Sequence, residues 1–456
     1  MVSNNKENRV HRDWTKGNTF HNLLSLSWPI IISRTFNIIG PVIDMVWVAK
    51  LGAPAIAGVG VAAMAVRVVT SARMGLAVGT RAIVARHIGA SDTTGANHVA
   101  QQAFIISSVF AITVASIGVL FTDGIMGLFG LEADVIVEGS AYMRIYFLCS
   151  VAISFRLMSE GLMHASGDTI TPMRISIFFR VIHAIISPLL IFGLLFFPRL
   201  GVSGAALANV ISQSVGGIIG FWILFSGRSR LKLTLRNFQV DFGVIWRIVK
   251  IGIPAAFMSM ERSFGDLVLM WFMSPFGTLA VAGHALVQRI ESIIRMPCMG
   301  LGYGSGILVG QNLGAGQPER AERSGWLAAI ISQGFAVLIF LVTILFAENI
   351  IGLFNSEPDI VELSSVYLRI AAAGYLFMGL YFVMQNAISG SGDTIPTMLV
   401  TLLNFWLVQV SLAFFLSRYT DMGMYGVRWA MVVGWVVGAA AYSIYFRSGR
   451  WKRKVV

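Results

Sequence analysis

The chain has 456 residues, of which 56% are hydrophobic and only 12% charged, with a formal net charge of +12 and a mean hydropathy of +0.75. A soluble domain carries about 25% charged residues, so this composition excludes a water-soluble protein. The basic residues gather at the start, middle and end of the chain, where cytoplasmic segments of a membrane protein sit, which argues against nucleic acid as the reason for the charge. Apolar runs of the length that crosses a bilayer as a helix recur along nearly the whole chain, and Phe104–Phe121, broken only by Ser, Thr and Gly, lacks the alternation of a membrane-barrel strand.

The chain opens on a polar, basic segment, residues 1–22, that holds Lys6, Arg9, Arg12 and Lys16. It lacks the apolar core of a cleavable signal peptide, so the first span is expected to be retained. Apolar runs near 24–48, 55–80, 100–121, 137–163, 172–197 and 201–225 then define an N-terminal six-helix bundle over 23–226. A linker over 227–247 carries Arg228, Arg230, Lys232, Arg236 and Arg247. Runs near 249–273, 280–305, 325–346, 362–388, 396–418 and 424–446 define a C-terminal bundle over 248–446, and a basic tail occupies 447–456. Cys149 and Cys298 both fall inside apolar runs, where packing is a commoner role than a disulfide or a metal site.

The second six runs repeat the first. "SGDTI" at 166–170 recurs at 391–395, an offset of 225. At the same offset "LFTDGIMGLFGLEAD" (120–134) lies on "LFAENIIGLFNSEPD" (345–359), Pro29 meets Pro254, and Tyr142 and Arg144 meet Tyr367 and Arg369. Such self-similarity means two copies of one structural unit. An even number of spans per copy returns the chain to its starting side, so both copies have the same orientation. The sequence thus predicts an all-α membrane protein: twelve transmembrane helices in two six-helix bundles related by a pseudo-twofold along the membrane normal. Basic residues gather at the start, the linker and the tail, while Asp123, Glu132, Asp134, Glu348, Glu357 and Asp359 occupy the opposite loops. The positive-inside rule then puts both termini in the cytoplasm, for a multi-pass protein of the plasma (inner) membrane. Each "SGDTI" becomes a joint: Gly167 and Gly392 can end one helix, and Asp168 and Asp393 can cap the next.

An ionisable group at the bilayer midplane costs about 2.5–3.5 kcal/mol on insertion scales, so it needs a partner, a cavity or a role. The acids within apolar runs are Asp44, Glu160, Glu261, Asp266 and Glu291, and the arginines there outnumber them. Glu261 and Asp266 are five residues apart, a spacing that turns them well around the helix from each other, so one is expected to face a cavity and the other the bundle. Arg180 and His183 precede Ser187-Pro188 and are candidates to line a cavity; His183 is either a proton carrier or a buried, hydrogen-bonded histidine. Asn209 and Gln213 share a helix face, where they either line a cavity or join helices. Glu291 is expected to pair with Arg289 or Arg295. The glycine-rich "GLGYGSG" (300–306) lies inside a span, so it reads as close helix packing or a hinge and not a phosphate loop.

The set of Pro29, "VIDMVWVAKLG" (42–52), "VARHIGASD" (84–92), "ASGDTITP" (165–172) and "GVSGAALA" (201–208), much of it echoed in the second half, resembles the multidrug and toxic compound extrusion (MATE) family over roughly residues 20–446. The resemblance implies a secondary antiporter, not an enzyme. It would export organic, cationic or amphipathic compounds in exchange for sodium or protons, its two bundles rocking about a central cavity. It further implies that Asp44 belongs to the cation site of the N-terminal bundle and that Glu261, with Asp266 second to it, is a coupling acid; the competing role for each is a structural ion pair. Where many relatives have Asp-Pro in the fifth helix this chain has Ser187-Pro188, which removes one proton-carrying carboxylate. No cofactor is expected beyond the coupling ion, Na+ or H+, and no metal. The expected partners are a small-molecule substrate and membrane lipids, without nucleic acid, for a monomeric protein. The arginine excess leaves a second reading open, a flippase for a lipid-linked or anionic substrate on a related duplicated fold.

Overall fold

In a computed structural model, residues 12–236 and 238–456 are described; the basic residues Lys6 and Arg9 lie outside them. Among the described residues the regular structure is helical throughout. The long helices are α1 (Thr19–Val48), α2 (Ala53–Gly89), α3 (Thr93–Leu120), α4 (Ala133–Leu148 followed by Ser150–Ser166), α5 (Ile170–Phe192), α6 (Gly201–Ser226), α7 (Phe242–Met273), α8 (Thr278–Gly314), α9 (Pro318–Gly352), α10 (Pro358–Gly390), α11 (Thr394–Arg418) and α12 (Met424–Arg447). Eleven are long and apolar enough to span a bilayer, with α4 counted as one span bent by 56°. The other, α8, is 37 residues long but carries Arg289, Glu291 and Arg295 mid-helix, which lowers its hydropathy and not its length. Helices α2 and α8 both run about two turns past their apolar stretches, to Gly89 and Gly314.

The duplication is visible in detail. Phe121 caps α3 and a short helix Thr122–Gly127 takes over from it, and α9 breaks at Phe346, the equivalent position. Arg144 pairs with Asp123, and Arg369 pairs with Glu348 at 2.9 Å, two ion pairs in the same repeat register. The two "SGDTI" joints then diverge. Gly167 closes α4 in the left-handed conformation (φ 88°) and Asp168 Oδ1 accepts from Thr171 N at 3.1 Å. Gly392 also has a positive φ, 92°, but Asp393 makes no side-chain cap on α11. Its carboxylate instead accepts from Tyr445 Oη at 2.5 Å and lies 3.4 Å from Lys454 Nζ. The expected cap at Asp393 is therefore corrected: partners from α12 and the tail outcompete the backbone amides.

The chain forms two compact units, and the division differs from a cut at the linker. Among the described residues the first comprises 12–13 and Ile32–Ala256, the second Trp14–Ile31 and Phe257–Val456. The start of α7 thus belongs to the first unit and the start of α1 to the second, and the two crossover points, 31/32 and 256/257, obey the repeat offset. Paired glycines explain the assignment. A Cβ on Gly75 would sit 2.4 Å from Gly252 O, and one on Gly79 would sit 2.4 Å from Ile248 O, so the start of α7 lies directly on the backbone of α2. In the second unit a Cβ on Gly300 would meet Ile31 Cγ1 at 2.2 Å and one on Gly304 would meet Ser27 Oγ at 2.3 Å. Gly302 and Gly306 bring α8 against the Phe382 and Asn386 carbonyls of α10. The glycine run packs helices closely, as small residues do in membranes.

Candidate functional site

In the first unit Asp44 sits one turn before the end of α1 and is only 4% exposed. Its Oδ1 lies 2.9 Å from His183 Nε2 on α5, an ion-pair distance when the ring is protonated; the ring is turned away from good hydrogen-bond alignment. Asn209 Nδ2 on α6 donates to Asp44 Oδ2 at 3.2 Å. One turn further, Gln213 Nε2 donates to Asn209 Oδ1. Arg156 Nε on α4 donates to Gln213 Oε1 at 3.2 Å, and Arg156 Nη1 donates to Glu160 Oε2 at 2.8 Å. Four helices thus contribute to one continuous polar chain running from His183 and Asp44 through two amides and a guanidinium to Glu160.

This arrangement follows from the cost of burying charge. A lone carboxylate in a low-dielectric interior is expensive, and a partner with additional hydrogen bonds recovers much of that cost. Asp44 has both an imidazole and an amide. Arg180 takes a separate place: its Nη2 donates to Asn37 O at 3.3 Å, and its guanidinium stacks over the Phe179 ring at 4.9 Å. It fits only because residue 40 of α1 is glycine; a Cβ there would lie 1.8 Å from Arg180 Nη1. The structure therefore gathers Asp44, His183, Asn209 and Gln213 into one network and sets Arg180 beside it. Sequence reading missed the part of Arg156 and Glu160. Their i, i+4 spacing was a usable signal; the Arg156–Gln213 bond across two helices had none.

The second unit is built differently at the equivalent positions. Leu269 replaces Asp44 and Gln385 replaces Glu160. Gln385 Nε2 donates to Thr401 Oγ1 at 3.1 Å and to Tyr442 Oη at 3.2 Å, an uncharged cluster. The charges of this unit instead border a cavity of about 60 Å³ whose lining includes Glu261, Arg262, Asp266, Glu291 and Arg295. Glu261 and Asp266 share this cavity, which corrects the expectation that their spacing turns them to different surroundings. The cavity wraps around α7, reaching from Glu261 past Gly265 to Leu269, and a helix side that wide accommodates both directions. Glu291 pairs with neither Arg289 nor Arg295. Its Oε1 lies 3.4 Å from Arg428 Nη1 on α12, and Arg428 Nη2 also reaches His284 O at 3.5 Å. A π-helical turn over Asn404–Val410 in α11 supplies Phe405 and Gln409 to the cavity wall; such turns recur at functional sites.

Comparison with known proteins places this architecture. The MatE family profile matches the chain twice, over residues 29–189 and 254–415, the two copies of the repeat. The probable multidrug resistance protein NorM of Thermotoga maritima is 25% identical over 445 residues, covering 95% of this chain and 93% of the relative. An FAD transporter of Shewanella oneidensis is 25% identical over 92% of this chain and 93% of its own length. A MOP superfamily transporter from Pyrococcus furiosus, whose binding pocket of reverse polarity suggests a different function, matches with a TM-score of 0.90 at 23% identity, over 97% of this chain and 98% of the other. An outward-facing multidrug resistance MATE family transporter matches with a TM-score of 0.89 at 23% identity, over 97% and 98%. These solved structures share the fold. With the family profile covering most of both repeats, the chain belongs to the MatE family of multidrug efflux transporters.

Proposed function

We propose that the protein is a secondary active antiporter that exports organic, cationic or amphipathic compounds in exchange for sodium or protons, by rocking of its two bundles. The same reading puts it in the plasma (inner) membrane with both termini in the cytoplasm, following the distribution of basic residues. The observation that carries the proposal is the Asp44 network. A carboxylate buried between an imidazole and an amide can hold a proton or ligate a small cation. Either event neutralises the charge that faces His183 and Asn209. Asn209 is in turn held by Gln213, and Gln213 by Arg156, so ion binding at one acid alters the contacts of α1, α4, α5 and α6 together. That is the kind of linked element through which an ion shifts a conformational equilibrium, provided it binds one state better than the other.

The test is transport of a cationic dye in proteoliposomes with sodium and pH gradients imposed separately. One of the two gradients should drive dye movement, and Asp44→Asn should abolish it at equal protein content. Dye movement that ignores both gradients, or an Asn variant as active as the parent, would overturn the reading. The second reading, a flippase or exporter for an anionic substrate, is favoured by Arg73. That side chain is 3% exposed, donates to Ser150 Oγ at 2.5 Å, and leaves Nε and Nη1 without a hydrogen-bond partner among the described residues. Movement of a labelled anionic lipid or flavin nucleotide without dye exchange in the same vesicles would select it.

A further inference from the structure

In the first unit a groove of about 370 Å³, lined by none of the residues of the Asp44 network, runs between the start of α5 and the end of α6. Thr171, Arg174 and Phe178 line it from α5, Ile219 and Trp222 from α6, and Arg228 from just past α6. Arg174 lies in the second turn of α5 and Arg228 two residues past the end of α6, so both guanidiniums stand at the same end of adjacent spans. One turn deeper, about 6 Å, the walls are apolar and face outward: Phe178 and Trp222 are each 51% exposed. In a spanning bundle that face meets acyl chains, and Trp favours the level of the headgroups. The Arg228 guanidinium sits 4.4 Å from the Trp222 ring centroid, a cation–π contact that fixes it over the groove.

Neither arginine has an ion-pair partner among the described residues. Asp168, which feels the Arg174 charge, is buried and already committed, accepting from Thr171 N at 3.1 Å and Ser229 Oγ at 3.2 Å. The repeat supplies an internal contrast. In the second unit Leu399 stands where Arg174 does and Arg447 where Trp222 does, so the pairing of two cations with an aromatic wall is particular to the first unit.

We propose that this groove is a binding site for one anionic phospholipid, its phosphate between Arg174 and Arg228 and an acyl chain along Phe178, Ile219 and Trp222. Two unpaired guanidiniums match a phosphate, and basic pockets between spans at the membrane surface recognise anionic headgroups.

The experiment titrates the purified full-length protein, in neutral detergent, with dioleoylphosphatidylglycerol, dioleoylphosphatidylcholine or inorganic phosphate and follows Tm. Phosphatidylglycerol should raise Tm by several degrees and saturate; the zwitterionic lipid and free phosphate should not. The double variant Arg174→Gln/Arg228→Gln should need about thirtyfold more phosphatidylglycerol for half the effect. Arg174→Lys/Arg228→Lys, which keeps the charge, should retain most of the response and shows that the site tolerates substitution. An equal shift with phosphatidylcholine, a shift with phosphate alone, or an undiminished response of the Gln variant would each overturn the proposal.

Discussion

Two contacts in the first unit show how much rests on single side chains. Gly40 admits the Arg180 guanidinium to the backbone of α1, and any Cβ there would collide with it. We expect Gly40→Ala to destabilise the protein by about 1–3 kcal/mol, the usual cost of overpacking. Arg180→Ala in the same chain should recover part of the loss, because the colliding group is gone; thermal unfolding of the singles and the double measures this, and strictly additive losses would refute the contact. Glu160 is the partner of Arg156, which is itself only 8% exposed. Removing the half-buried Glu160 leaves the buried Arg156 charge with only the neutral Gln213 as hydrogen-bond partner among the described residues, so Glu160→Ala should cost on the order of 3 kcal/mol. The repeat supports the logic: where residue 385 is Gln, the equivalent of Arg156 is Tyr381 and no charge needs a partner. Asp44 was legible in the sequence as a lone acid in an apolar run. Its partners were not, since His183 and Asn209 come from distant parts of the chain and no local spacing links them.

Among the helices, the informative contacts are those that hold a segment across the repeat boundary. Gly75 and Gly79 hold the start of α7, and Gly300 and Gly304 hold the start of α1. Gly75→Ala should place its methyl against the Gly252 carbonyl and lower Tm, whereas Gly60→Ala, with open space around it, should be neutral or slightly stabilising. Equal effects of the two would dissolve the argument. The linker is also tied down, by a polar face of α3 that the sequence showed only as scattered Asn, His and Gln. Gln101 Nε2 donates to Thr234 O at 2.5 Å, Gln102 Nε2 donates to Gln239 O at 2.8 Å, and His98 Nε2 lies 3.2 Å from Asp241. Two carboxylates cap helices here. The Gly95 N–H and then His87 hold Asp92 below the usual carboxylate range, and the Val244 N–H and then His98 do so for Asp241. An acid whose pKa is depressed on folding contributes stability above its unfolded pKa, about 4, and loses it as pH falls through the lower folded value. Hydrogen exchange in the first turns of α3 and α7 should therefore accelerate as pH drops below about 4, relative to the intrinsic rate, before the bundles open. Protection unchanged down to pH 2 would argue against the caps.

For the complete chain, the paired six-span units require that its two ends lie on one side of the membrane. With Cys149 and Cys298 replaced, Asp13→Cys and Ser448→Cys should react with an impermeant thiol reagent from the same side, and Glu132→Cys and Glu357→Cys from the other. Labelling of the first two from opposite faces would contradict the topology. The sequence could support this expectation because counting spans needs only apolar length, and orientation needs only the placement of Lys and Arg in loops.

Helix number, duplication, family and the identity of the lone acids were all determined by the sequence alone, because hydropathy, period and motif are properties of the order of residues. Which charge meets which was decided only in three dimensions. Arg428 and not Arg295 reaches Glu291, Tyr445 and not the α11 backbone takes Asp393, and Glu261 and Asp266 border one cavity despite their spacing. The two pairings join helices far apart in the chain, and the cavity is walled by residues of α8, α10, α11 and α12 as well as α7. In a low-dielectric interior the best-placed partner wins over the nearest one in sequence, since an unpaired charge or donor there has no water to fall back on.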